Sequence, residues 1–125
     1  MQPLKILIAD DSKLMCERLS VGLQEIGGIS VIGQAQDGQD AIKFIENDLP
    51  DVVILDIQMP KTSGIEVLKR IQQQNRRPVV MMFTNYPYQQ YRTTCAKAGA
   101  DYFFDKSKEF DKLMRTVRRI SRGAA

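Results

Sequence analysis

Five residues of this chain, Asp10, Asp11, Asp56, Thr84 and Lys106, have side chains that could take part in one reaction. Each stands at the end of an apolar run: Leu4–Ala9 leads to Asp10 and Asp11, Val52–Leu55 to Asp56, Val79–Phe83 to Thr84, and Tyr102–Phe104 to Lys106 one residue later. Carboxylates that meet repel one another unless they are protonated or share a cation. Hard oxygen donors with room for water suit Mg²⁺. A hydroxyl and an ammonium facing such a corner are donors for a tetrahedral oxyanion. Together the parts match phosphoryl transfer, with a carboxylate nucleophile, a metal and donors to equatorial oxygens. Taken alone, Asp56 has a plain alternative reading, a loop-mouth aspartate that merely caps the next helix.

Whether these residues meet depends on the elements that carry them. Val52-Val53-Ile54-Leu55, with three β-branched residues, fits a strand buried on both faces of a parallel sheet. Met59-Pro60-Lys61-Thr62-Ser63-Gly64 then turns it into a loop. Leu4–Ala9 reads as the first strand, Ile29–Ala35 as the second, Val79–Phe83 as the fourth and Tyr102–Phe104 as the fifth. Between them lie helical patterns. Ser12, or Asp11 before it, caps the first, which carries Met15, Leu19, Leu23 and Ile26 and stops at Gly27-Gly28. The second carries Ala41, Ile42 and Ile45, and the third Ile65, Leu68 and Ile71. The fourth runs from about Tyr88 to Ala98, and the last places Phe110, Leu113, Met114, Val117 and Ile120 on its core face. Five repeats of strand then helix predict an α/β fold, a five-stranded parallel sheet with helices on both faces. In such a sheet, ligands bind at the carboxyl ends of the strands, where all five residues fall.

Composition narrows the chemistry. The 125 residues suffice for one domain with a proper core, and no apolar run reaches membrane-span length. The start lacks the features of a signal peptide, which with the cysteines below predicts a cytoplasmic protein. There is no histidine, so histidine-based metal sites and acid–base catalysis are excluded. Cys16 and Cys95 form no C-x-x-C and read as free thiols. Charge is uneven. From Lys106 onward there are seven Lys/Arg against two Asp/Glu, while the first 105 residues have eleven against thirteen.

The residues Asp10-Asp11-Ser12, Leu55–Pro60 with Gly64, Phe83-Thr84, Ala98-Gly99-Ala100 and Phe104-Asp105-Lys106 resemble those of CheY-like receiver domains of two-component response regulators. The resemblance covers essentially the whole chain, 1–125, as one receiver domain with the flavodoxin-like (βα)5 fold. It implies that Asp56 is the phosphoacceptor. Asp11 and Asp56 would bind Mg²⁺ directly with the backbone carbonyl of Gln58, and Asp10 mainly through water. Thr84 and Lys106 would hold the phosphoryl oxygens, and Phe103 would be the switch aromatic. Two positions depart from the family. Asn85 stands where a small residue is usual, and Ser107 where a proline in a cis peptide is usual. A non-proline cis bond costs about 2.5–4 kcal/mol, so a trans bond is expected after Lys106.

The resemblance further implies a signalling switch rather than an enzyme, acting only on its own phosphorylation and dephosphorylation. Its partners would be a histidine kinase or histidine phosphotransfer protein, a downstream protein target and, as an open alternative, a second copy in a phosphorylation-dependent homodimer. No membrane contact is expected. Nucleic acid is not expected for this domain alone, because Lys112, Arg115, Arg118, Arg119 and Arg122 form a basic face without a reading helix or base-contacting motif. A stand-alone receiver is the preferred organisation, and the N-terminal receiver of a longer DNA-binding regulator the alternative. A haloacid-dehalogenase-type phosphatase would need a second aspartate as general acid where Gln58 stands. A flavodoxin-like cofactor binder would place phosphate against Asp10 and Asp11, which repel it.

Overall fold

A computed structural model describes residues 2–123. The elements alternate: β1 Leu4–Ala9, α1 Lys13–Gln24, β2 Ile29–Ala35, α2 Gly38–Asp48, β3 Val52–Leu55, α3 Gly64–Ile71, β4 Val79–Thr84, α4 Gln89–Lys97, β5 Tyr102–Asp105 and α5 Phe110–Ser121. The strands form one parallel sheet in the order β2-β1-β3-β4-β5. The α/β architecture expected from the repeats is therefore the one observed. Chain reversal between β1 and β3 also makes the carboxyl end of the sheet a place where neighbouring loops diverge.

Strand alternation divides the core into two layers. Leu7, Ala9, Val53, Leu55, Val80 and Met82 face α2, α3 and α4, meeting Ala41, Ile45, Val67, Leu68 and Cys95. Ile6, Ile8, Val52, Ile54, Met81, Phe83 and Phe104 face α1 and α5, meeting Cys16, Leu19, Leu23, Leu113 and Val117. Each fully buried aliphatic side chain contributes on the order of 1.5–3 kcal/mol, so these layers fix the strand ends firmly.

Element boundaries shift by a residue or two from the sequence pattern. Ile26 lies beyond α1, half-buried, because the helix ends at Gln24. In α3 the fully buried positions are Val67, Leu68 and Ile71, while Ile65 is half-buried. This helix is only eight residues long, and Val67 joins Leu68 and Ile71 in the core layer against which Ile65 packs. β5 extends to Asp105, which hydrogen-bonded pairing with Thr84 draws into the sheet. Among the described residues, no helix is long and apolar enough to cross a membrane.

Candidate functional site

β1 and β3 run in register to Ala9 and Leu55, so Asp10 and Asp56 leave the sheet side by side. The Asp56 amide donates to the Ala9 carbonyl at 2.9 Å, and the Asp10 amide donates to the Ala35 carbonyl at 2.9 Å. On the other side, Thr84 pairs with Asp105, and the Lys106 amide donates to the Thr84 carbonyl at 2.9 Å. Backbone pairing thus holds three strand ends and the start of the last loop in one plane. Ser12, not Asp11, is the N-cap of α1, accepting from the Met15 amide at 3.2 Å. Asp11 is left exposed at the rim.

All five predicted side chains are on this end of the sheet. Asp10, Asp56 and Thr84 are 2%, 6% and 0% exposed. Carboxylate oxygens of Asp10, Asp11 and Asp56 lie within 4.8 Å of one another. The Lys106 ammonium reaches over them, 2.6 Å from Asp10 Oδ2 and 3.1 Å from Asp56 Oδ2. One ammonium against three carboxylates leaves the corner short of positive charge. The donor set is oxygen only, which fits a hard divalent cation such as Mg²⁺ rather than a thiolate- or imidazole-seeking metal. Thr84 Oγ1 accepts from the Tyr86 amide at 3.0 Å. Gln58 is exposed in the loop that follows Asp56.

The electrostatics are uneven. Burial pushes the Asp56 carboxyl up to about 6; Lys106 opposes this and Asp10 adds to it. A paired carboxylate would ordinarily shift downward. Here the shorter bond of the shared ammonium goes to Asp10, so Asp56 keeps more of its desolvation penalty. For Lys106, burial acts to lower the pKa, but its bonds to Asp10 and Asp56 outweigh this and hold it above the usual value.

A pH dependence of stability follows. Burial raises the folded Asp56 carboxyl to about 6 from an ordinary value of 3.8. Between those values the folded chain binds the extra proton, so stability falls as pH rises through that window, by roughly 3 kcal/mol in all. The metal-free Asp56→Asn variant has no charge to bury there. The stability difference, variant minus parent, should therefore grow from pH 4 to pH 7 in urea titrations with chelator. A difference that is flat or shrinks over that range would contradict the burial of a charged Asp56.

Phe103 is not with the carboxylates. It lies half-buried on β5, packed against the layer containing α2, α3 and α4, with the Arg92 guanidinium 4.7 Å from its ring centroid. Arg92 also donates to the Pro87 carbonyl at 3.4 Å and approaches Glu109 at 4.0 Å. Nothing in the sequence announced Arg92, because eleven positions separate it from Phe103 and no periodicity links the two. Ser107 and Asp105 were also missed as a bonded pair, although Asp-x-Ser is a recognisable turn pattern. Among the described residues there is no cis peptide bond, as expected where Ser107 replaces proline.

Comparison with known proteins bears on the family and the fold. The family model described as the response regulator receiver domain matches residues 6–118. An uncharacterized response regulatory protein of Vibrio cholerae is 37% identical over 119 residues, covering 95% of this chain and 49% of that protein. The structure of a CheX-CheY-BeF3-Mg complex from Borrelia burgdorferi aligns with a TM-score of 0.87 at 30% identity, over 95% of this chain and 90% of that one. A DNA-binding response regulator of the LuxR family from Staphylococcus aureus aligns with a TM-score of 0.87 at 26% identity, over 94% and 98% of the two chains. The chain spans about half or less of the length of the curated relatives it matches.

Proposed function

Since the chain belongs to the response regulator receiver domain family, we propose that it is a phosphoacceptor switch in which Asp56 receives a phosphoryl group from a histidine kinase or histidine phosphotransfer protein in the cytoplasm. One observation carries this reading above the others: the Lys106 ammonium bridges two buried carboxylates, Asp10 and Asp56, beside a third. A capping aspartate would need neither a buried lysine nor buried neighbours. Asp10, Asp11 and Asp56, with the Gln58 backbone carbonyl, would hold Mg²⁺. Bound there, the cation would offset the charge of the incoming phosphoryl oxygens.

This chain's own residues supply the rest. An Asp56 carboxylate oxygen forms the new bond to phosphorus, the bond from phosphorus to the donor nitrogen breaks, and the imidazole leaves with that electron pair. Lys106, already on Asp56 Oδ2, is placed to donate to a phosphoryl oxygen after transfer. Thr84 must give up the Tyr86 amide bond if its hydroxyl is to turn to the phosphoryl group. Incubation with acetyl phosphate and Mg²⁺ tests the reading. Intact mass should rise by one phosphoryl unit, and no rise, or an equal rise in chelator, would refute it.

Output follows from the withdrawal of Thr84. On the adjacent strand, Phe103 can move inward into the vacated space, burying apolar area at roughly 25 cal/mol per Å². The surface so reshaped lies on α4, β5 and α5. It carries exposed Tyr88 beside half-buried Tyr91, their rings stacked at 6.2 Å. It also carries a groove of ≈ 370 Å³ lined by Tyr102, Phe104, Lys112, Arg115, Thr116 and Arg119. No acidic side chain lines that groove, and α4 contains none. The cations that line the groove suit an acidic protein partner.

Beryllofluoride should therefore strengthen partner binding, and Thr84→Ala should remove most of that gain. A charged hydrogen bond is worth about 1.5–3 kcal/mol, enough to reverse a two-state balance. Arg115→Glu should weaken binding and flatten its salt dependence. Undiminished beryllofluoride-dependent binding in both variants would place the output elsewhere. A second reading joins this receiver to a DNA-binding domain. It is supported by the greater length of the relatives and by the DNA-binding regulator among the structural neighbours.

A further inference from the structure

We infer that Ser107 and Asp105 form a clamp that positions Lys106 for phosphoryl transfer, replacing the rigid proline turn that this chain lacks. The inference rests on the reading of Asp56 as phosphoacceptor and concerns how its lysine is held. Lys106 has a long, flexible side chain, and its use at Asp56 depends on where its backbone is fixed. Four bonds fix it. The Ser107 hydroxyl donates to Asp105 Oδ1 at 2.7 Å, and the Ser107 amide donates to the same oxygen at 2.9 Å. The Asp105 amide donates to Glu109 Oε1 at 2.9 Å, and the Glu109 amide donates to the Asp105 carbonyl at 2.8 Å.

These bonds close a loop around Lys106, whose own amide is tied to the Thr84 carbonyl. Asp105 is largely covered while Ser107 is exposed, so the bonds between them lie at the protein surface and hold by their geometry. The two Ser107 bonds hold its carboxyl below the ordinary carboxylate value, so the acceptor stays ionised well below neutral pH. Ser107 itself is exposed, and its hydrogen bonds go to Asp105 rather than to Asp10, Asp11 or Asp56. It is thus a positioning residue. Its hydroxyl contributes the shorter of two bonds to one oxygen, and alanine would remove that bond while keeping the amide bond.

The test is the rate of mass gain with acetyl phosphate and Mg²⁺ in the parent, Ser107→Ala, Ser107→Thr, Lys106→Ala and the double variant Ser107→Ala/Lys106→Ala. Ser107→Ala should slow phosphorylation by about three- to tenfold, the worth of one hydrogen bond to a charged acceptor at the surface. Ser107→Thr, which keeps a hydroxyl, should recover most of the rate. In the Lys106→Ala background, Ser107→Ala should change nothing further, an outcome that general loosening of the fold would not produce. A Ser107→Ala rate equal to the parent overturns the clamp. So does a slowdown of the same size with and without Lys106. A parent that gains no phosphoryl group fails in every arm, which marks the failure of the underlying reading instead.

Discussion

Asp56→Asn is expected to abolish phosphoryl incorporation, from one group per chain to none, while leaving the fold intact. The amide nitrogen is no nucleophile toward phosphorus, and the amide oxygen lacks the carboxylate's charge. Asn is close to isosteric and keeps an acceptor for the Lys106 ammonium, which in the parent lies 3.1 Å from Asp56 Oδ2. Lys106 also retains its 2.6 Å pair with Asp10. No buried charge is therefore stranded, and the variant should melt at or above the parent's temperature in the absence of metal. Intact mass after donor treatment and thermal unfolding check the two halves separately. A phosphoryl adduct that persists on Asp56→Asn would move the acceptor to another residue.

Gly64→Ala is expected to be among the most destabilising single substitutions in the chain, by about 3 kcal/mol or more. Gly64 opens α3, and its amide donates to the Ile57 carbonyl at 2.7 Å. A Cβ at that position would overlap the Asp56 backbone carbonyl oxygen and crowd the Ile57 Cα. Backbone cannot rotate aside as a side chain can, so either β3 or α3 must move. Moving β3 displaces Asp56 from its partners, which couples the loss of stability to loss of phosphorylation. Ser63→Ala is the control. It removes only the N-cap bond to the Glu66 amide and should cost about 1 kcal/mol. Urea midpoints of the two variants measure the contrast, and equal midpoints would show that the β3–α3 junction has slack.

The parts of the site that could be read from the sequence are those set by strand alternation and by breaks in apolar runs. Val52–Leu55 is buried throughout and ends on Asp56, and that pattern alone placed the carboxylate at the mouth of the sheet. Asp10 and Asp11 followed from the same logic on β1, and Thr84 and Lys106 on β4 and β5. Contacts between side chains brought together only by folding were not legible. Arg92 over Phe103 depends on how α4 packs beside β5, and the unequal sharing of Lys106 depends on tenths of an ångström. On α3 the expected Ile65, Leu68 and Ile71 all pack into one layer, while Val67, which joins them, was not picked out because an eight-residue helix offers only two turns of pattern. The basic side of α5 was legible. Its twelve residues keep Leu113 and Val117 inward and Lys112, Arg115, Arg118 and Arg119 exposed.

The central claim is that Asp56 carries the phosphoryl group, and the most direct measurement localises that group chemically. The chain, treated with acetyl phosphate and Mg²⁺, is reduced with borohydride, which converts an acyl phosphate to an alcohol, and the peptides are mapped by mass. The account predicts one reduced side chain, at Asp56, formed only when donor and Mg²⁺ are both present. Reduction at Asp10 or Asp11, or a phosphoryl group that resists borohydride and maps to a hydroxyl such as that of Thr84, would contradict it.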